Sequence, residues 1–373
     1  MIKRKKVMIV FGTRPEAIKM APVIQALRQK ESILCQVIVT AQHREMLDQV
    51  LQLFKIDPDF DLNLMKQGQT LTEITTRALS GLHDIFQRER PDLVLVHGDT
   101  TTTFAAALAA FYAQIAVGHV EAGLRTGNKY SPYPEEMNRK LASALTDFHF
   151  APTETAKRNL EQEGVPPERI IVTGNTVIDA LLATVNPEFS FAGSELQTIF
   201  EQRERFRMIL VTTHRRENLG EPMRQIYQAL KSTLETYPDT YIIFPVHKNP
   251  NVRKVVTEVL GSHPRVHLIE PLEYEPFVNL MARAHLILTD SGGIQEEAPS
   301  LGKPVLVVRD TTERPEAVAA GTVSLVGTEY ERVFSELQNL LGDEKAYQKM
   351  TMASNPYGDG SAALRITEII DEN

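Results

Sequence analysis

The chain has 373 residues, 42% of them hydrophobic and 24% charged, the balance of an ordinary globular protein. Lys and Arg number 40 against 48 Asp and Glu, a formal charge of −8, which argues against a general nucleic-acid or anionic-membrane binder because those need a net basic face. A single cysteine excludes a disulfide framework and a cysteine-based metal site.

Met1-Ile2-Lys3-Arg4-Lys5-Lys6 is basic, but the apolar run behind it, Val7–Phe11, is only five residues long and Gly12-Thr13-Arg14-Pro15-Glu16 ends it. That is too short for a secretory signal. No segment approaches the roughly eighteen apolar residues of a membrane span, so a cytoplasmic protein is expected. Short β-branched runs recur along the chain: Val7–Phe11, Leu34–Val39 (which holds Cys35), Leu93–Val96, Ile115–Val120, Phe148–Ala151 and Ile170–Val172, then Met208–Val211, Tyr241–Phe244, Val266–Ile269, Leu286–Leu288, Val305–Val308 and Val323–Val326. They are continuous rather than alternating, as strands covered on both faces read. Stretches with helical spacing lie between them, among them Ala17–Lys30, Met46–Phe54, Met223–Thr236 and Phe277–Ala284. Strand–helix alternation predicts βαβ units and parallel sheets.

Six strands precede a pause at Asn186–Arg205 and six follow it. At roughly 150 residues per domain two are expected. The reading is α/β: two Rossmann-like, doubly wound domains, 1–176 and 177–359, with a final helix at 360–373 packing back on the first. Arg-Pro-Glu occurs shortly after a strand in both halves, at Arg14-Pro15-Glu16 and Arg314-Pro315-Glu316. Pro and Glu suit a helix start; the arginines oppose the helix dipole there, and an arriving anion would explain them.

Polar clusters follow the strands: Gly12-Thr13-Arg14, His97-Gly98-Asp99-Thr100, His119-Val120-Glu121-Ala122-Gly123, Thr213-His214-Arg215-Arg216-Glu217-Asn218, Pro245-Val246-His247 and Thr289-Asp290-Ser291-Gly292-Gly293. In open α/β sheets ligands bind beyond the carboxyl ends of the strands, so a site in a cleft between the two domains is the economical expectation. The first turn lacks the G-x-G-x-x-G of a dinucleotide site, and no P-loop occurs. Ser291-Gly292-Gly293 is the best anion site, glycines letting backbone N–H groups face a phosphate, although a plain helix cap reads equally well. Glu297 lies one helical turn on, where a carboxylate would accept both hydroxyls of a ribose. Together they suggest a nucleoside diphosphate, with Arg14, Lys19 and Arg314 neutralising it.

His97-x-Asp99 and His119-x-Glu121 would each share one face of a strand. With no recognisable third ligand, metal binding is not expected, and the two histidines read as structural. Asp99, Glu121 and Glu135, the last in Ser131-Pro132-Tyr133-Pro134-Glu135-Glu136, suit proton transfer.

These motifs, with Pro134-Glu135-Glu136-x-Asn138-Arg139, Ser291-Gly292-Gly293-x-Gln295-Glu296-Glu297 and Arg309-Asp310-Thr311-Thr312-Glu313-Arg314-Pro315-Glu316, closely resemble the bacterial non-hydrolysing UDP-N-acetylglucosamine 2-epimerases, nearly end to end and in order. The resemblance implies the GT-B architecture, a homodimer, and interconversion of UDP-GlcNAc and UDP-ManNAc for cell-envelope polysaccharide. It also implies that Arg14, Lys19, Asp99, Glu121, His214, Phe277, Ser291, Gly292, Gly293, Glu297 and Arg314 contact the nucleotide sugar, and that Asp99, Glu121, Glu135 and His214 are catalytic. Some members are activated by a second UDP-GlcNAc near the pair matching Gln42-His43; here Glu45 and Gly68 replace a Gln and an Arg common in those members, and Leu272 stands where many have Gln.

The chemistry agrees. The C2 proton of the sugar has no adjacent carbonyl to acidify it, so an enzyme either oxidises the ring with NAD or expels UDP and passes through a glycal. The missing dinucleotide fingerprint disfavours the first route, so no cofactor is expected. Rival readings are a 2-epimerase of a diacetamido-uronic acid UDP-sugar, a GT-B glycosyltransferase, a hydrolysing relative and a non-catalytic nucleotide-sugar sensor.

Overall fold

A computed structural model describes residues 4–41, 44–64, 66, 68–201 and 206–373. They form two compact units. Unit 1 runs up to Leu182 and resumes from Tyr357 to Asn373; unit 2 is Ala183–Pro356.

Unit 1 holds seven parallel strands among the described residues: β1 (Lys5–Phe11), β2 (Ile33–Val39), β3 (Phe60–Asp61), β4 (Leu93–His97), β5 (Ala116–Val120), β6 (Phe148–Ala151) and β7 (Ile170–Val172). Their order is β3-β2-β1-β4-β5-β6-β7. Six strands were expected here. β3 adds the seventh, and its two residues are too few to show an apolar run. Unit 2 holds six: β8 (Arg207–Thr212), β9 (Thr240–Pro245), β10 (Val266–Ile269), β11 (Leu286–Thr289), β12 (Val305–Val307) and β13 (Val323–Leu325), ordered β10-β9-β8-β11-β12-β13. Both are the Rossmann order, which reverses beside the first strand of each sheet. The switch points therefore fall between β1 and β4 and between β8 and β11.

Burial follows the continuous apolar pattern. Val7 through Phe11 and Met208 through Val211 are inaccessible or nearly so, each large side chain contributing roughly 1.5–3 kcal/mol. The helix Thr101–Tyr112 is lined with alanines, five of them fully buried. At Gly123, φ is +88° and an added Cβ would lie 2.3 Å from the Ala156 carbonyl oxygen, so only glycine fits the turn behind β5. Cys35 is buried, and desolvation pushes its thiol up to about 12.

The chain leaves unit 1 later than residue 176 and returns earlier than residue 360. Asn175 caps the helix Thr176–Thr184, and Asp179 on that helix accepts the N–H groups of Ala362 (3.3 Å) and Ala363 (2.8 Å), the first turn of the last helix, Ala362–Glu372. Those bonds keep residues 177–182 in unit 1. Lys5 Nζ donates to the Ile370 carbonyl at 2.8 Å at the other end of the same helix. No helix among the described residues is long and apolar enough to cross a membrane.

Candidate active site

At the switch point of unit 1 the loops after β1 and β4 are sewn together by Glu16, which is 3% exposed. Its carboxylate accepts the N–H groups of Gly12 (3.0 Å) and Thr13 (2.8 Å) and the hydroxyls of Thr13 (2.9 Å) and Thr100 (2.7 Å). Burial still pushes the carboxyl up. Arg14 opens the helix Arg14–Arg28 and is exposed; Lys19 lies a turn further on.

β4 ends at His97 and β5 at Val120. Gly98 and Glu121 then take left-handed backbones, with φ +66° and +61°. For a non-glycine residue that is uncommon and marks strain held by its surroundings. The expectation that His97 and Asp99, or His119 and Glu121, share a strand face therefore fails, because in each pair the second residue has left the strand. The contact runs across strands instead: His97 Nε2 lies 3.9 Å from Glu121 Oε2. His119 turns away, its Nε2 2.7 Å from the Gly98 carbonyl.

Glu121 is 8% exposed. Lys19 pairs with its Oε2, and Asn175 Nδ2 donates to the same oxygen at 3.0 Å. Burial alone would raise this carboxyl, but Lys19, with His97 and Arg139 behind it, outweighs that and holds it well below the usual carboxylate range. Asp99 pairs with Arg139, and its backbone carbonyl accepts Asn138 Nδ2 at 2.9 Å. Burial raises the Asp99 carboxyl against the pull of Arg139, with Glu121 and Glu135 adding repulsion. Glu135 is half-buried at the start of the helix Glu135–Ala144. Burial pushes His97 down to about 4 and His119 to about 3, so both rings are neutral at pH 7. Unit 1 thus brings Lys19, Asp99, Glu121 and Glu135 near one another. It adds His97, Arg139 and Asn175, to which the sequence reading gave no role in the chemistry.

At the switch point of unit 2 the anchor is Asp290, which is fully buried and was not singled out from the sequence. It accepts the backbone N–H groups of His214 (2.9 Å) and Arg215 (2.8 Å) and sits 3.3 Å from His214 Nδ1. The His214 ring is exposed and stacks on His247 with centroids 5.5 Å apart. Burial lowers its basicity, His247 and Arg215 push the same way, and Asp290 opposes them. After β11, Ser291 precedes a short helix, Gly292–Glu297, which tightens into a 3₁₀ turn at Ala298–Leu301. A Cβ on Gly292 would lie 4.0 Å from Arg314 Nη2, and one on Gly293 3.4 Å from Glu297 Oε1. Ser291, Gly292, Gly293, Glu297 and Arg314 are therefore neighbours. Burial, with Glu297 adding to it, pushes the Tyr274 hydroxyl well above its ordinary value; Tyr274 begins the helix that carries the half-buried Phe277.

The arginines at the two helix starts differ. Arg314 already has an anion, the buried carboxylate of Glu296, so its opposition to the dipole needs no ligand to explain it. Gln42 and His43 lie outside the described residues. Among the described residues no three His, Cys, Asp or Glu side chains gather in a way that would hold a metal ion.

The family model described as UDP-N-acetylglucosamine 2-epimerase matches residues 25–371. The UDP-N-acetylglucosamine 2-epimerase of Escherichia coli K12 is 58% identical over 373 residues, covering 99% of both chains. That of Bacillus subtilis is 58% identical over 367 residues, covering 98% of this chain and 95% of its own. A crystal structure of the Neisseria meningitidis UDP-GlcNAc 2-epimerase bound to UDP-GlcNAc superposes with a TM-score of 0.84 at 55% identity, covering 99% of this chain and all of the other. Two Rossmann-like sheets, the buried carboxylates beyond β4 and β5, and similarity along nearly the whole length agree: the chain belongs to the UDP-N-acetylglucosamine 2-epimerase family, an isomerase family of GT-B fold.

Proposed function

We propose that the protein reversibly inverts C2 of UDP-GlcNAc to give UDP-ManNAc, by eliminating UDP to a 2-acetamidoglucal and adding it back. The observation that carries this reading is the contrast between two neighbouring carboxyls. Glu121 is kept ionised by Lys19 and Asn175, while burial favours the protonated form of Asp99. Titratable groups pushed apart in this way mark a base and an acid. In the forward elimination Glu121 takes the C2 proton, the C–H pair becomes the C1=C2 bond, and the C1–O bond breaks with its electrons leaving on UDP. In the return, UDP oxygen attacks C1 and C2 takes a proton on the opposite face from the Asp99 carboxylic acid. Glu121 then gives its proton up to water, and Asp99 is reprotonated from water by way of Glu135, which lies within electrostatic reach of it.

His214, the Ser291–Gly293 segment and Arg314 would stabilise the charge that builds on the departing diphosphate, with Arg14 and Lys19 supplying further positive charge. Glu297 would accept the ribose hydroxyls, and Phe277 would pack on the nucleotide. No step requires a nicotinamide or a metal. The N. meningitidis enzyme, whose crystal structure holds UDP-GlcNAc, supports this substrate. A homodimeric enzyme in the cytoplasm, supplying ManNAc units for cell-envelope polysaccharide, completes the reading.

The test is proton NMR of the protein with UDP-GlcNAc in D₂O, without added NAD or metal. UDP-ManNAc carrying deuterium at C2, with slow release of UDP and a glycal, is the expected result. Epimerised product that keeps its C2 proton, or the absence of any product, overturns the mechanism.

A further inference from the structure

We propose that Asn175 is a positioning residue for the proton transfer at C2, its amide fixing which oxygen of Glu121 is left for the substrate. The inference rests on the assignment of Glu121 above and adds a residue to it.

The orientation of the Asn175 amide is settled by its neighbours. Oδ1 accepts the Val177 N–H at 3.1 Å, capping the helix Thr176–Thr184, so the other end must be the NH₂. It points at Glu121 Oε2, 3.0 Å away, and an amide nitrogen only donates. Asn175 is 2% exposed, so water does not compete for that bond. Its backbone is held as firmly: Asn175 N–H donates to the Tyr357 carbonyl at 2.7 Å, where the chain re-enters unit 1. Gly174, at φ +89°, lets the two segments touch, since a Cβ there would lie 3.3 Å from the Gly358 Cα.

Around Glu121 the charged and titratable groups are Lys19 on the helix Arg14–Arg28, His97 at the end of β4, Asp99 in the following turn and Arg139 on the helix Glu135–Ala144. Lys19 and Asn175 both engage Oε2. Among the described residues Oε1 accepts no hydrogen bond, and it faces Gly98, whose missing side chain leaves room there; a Cβ would lie 3.7 Å from it. Asn175 thus holds a strained residue by one oxygen and leaves the other for the sugar.

Two variants keep an oxygen that can cap the helix and change the group facing Glu121. In Asn175→Ser the shorter hydroxyl no longer reaches Glu121, and kcat is expected to fall roughly tenfold or more with KM little changed. Asn175→Asp can donate only while protonated. Two carboxyls this close share a proton, so this variant is expected to approach normal kcat at acid pH and to lose activity as pH rises and the shared proton leaves. A purely structural role would not create that basic limb. An Asn175→Asp profile parallel to that of the unaltered protein, or an Asn175→Ser enzyme with normal kcat, overturns the proposal. Should Asn175→Ser unfold, the Asn175→Asp profile decides alone. Glu121→Gln separates the two ideas: if it keeps normal kcat, the catalytic assignment of Glu121 fails; if it is inactive while both Asn175 variants behave normally, only the role of Asn175 fails.

Discussion

At the switch point of unit 1 Glu121 and Asp99 are already paired with Lys19 and Arg139, whereas at that of unit 2 the carboxylate, Asp290, is taken up by backbone N–H groups and the imidazole it supports is exposed. The same strand order produces both. The difference teaches how a Rossmann sheet end is specialised. One version fixes side-chain charges in place against one another, the arrangement the proposed proton transfers need. The other leaves a ring and a glycine turn uncovered, as the proposed diphosphate contacts require.

The comparison breaks first at Glu121. Glu121→Gln should lower kcat by roughly 10²–10⁴, the usual contribution of a positioned acid or base, while UDP binds as before. Steady-state kinetics beside calorimetric UDP titration would read both; a large loss of UDP affinity would move Glu121 from chemistry to binding. Acid is the next lever. His97 and His119 sit below the ordinary 6.5, at about 4 and about 3. Their contribution is therefore complete above pH 6.5 and is lost as pH falls toward those values, at roughly 3 kcal/mol for His97. Tm should drop between pH 7 and pH 4.5; a flat Tm would mean the rings are not held neutral. Glu297→Ala sharpens the other side: UDP affinity should weaken roughly tenfold, as for a lost charged hydrogen bond, with kcat much less affected than in Glu121→Gln. Least of all, Tyr227→Phe removes a buried hydroxyl bonded to Thr213 at 2.8 Å. It should cost about 1 kcal/mol, visible as a lower urea midpoint.

The sheets were legible because strands buried on both faces write themselves as unbroken apolar runs; β3, with two residues, could not. The two candidate carboxylates, Asp99 and Glu121, stood out because each follows a strand in a polar cluster. Their partners were harder to read. His97 was assigned to Asp99 by strand alternation, a rule that stops where Gly98 and Glu121 turn left-handed. Asn175 and Asp290 carry no local pattern of their own, since what they hold lies 54 and 76 residues away.

Unit 1 is discontinuous, closed by the helix that Asp179 caps and Lys5 grips. During synthesis, when domains fold as they emerge, the whole of Ala183–Pro356 leaves the ribosome before the segment that seals the unit holding Asp99 and Glu121. The sheet of unit 2 can be finished while unit 1 still waits for its last helix. A nascent chain arrested before Tyr357 would lack the carbonyl that seats Asn175, so the hydrogen bond from Asn175 to Glu121 would be among the last the polypeptide acquires.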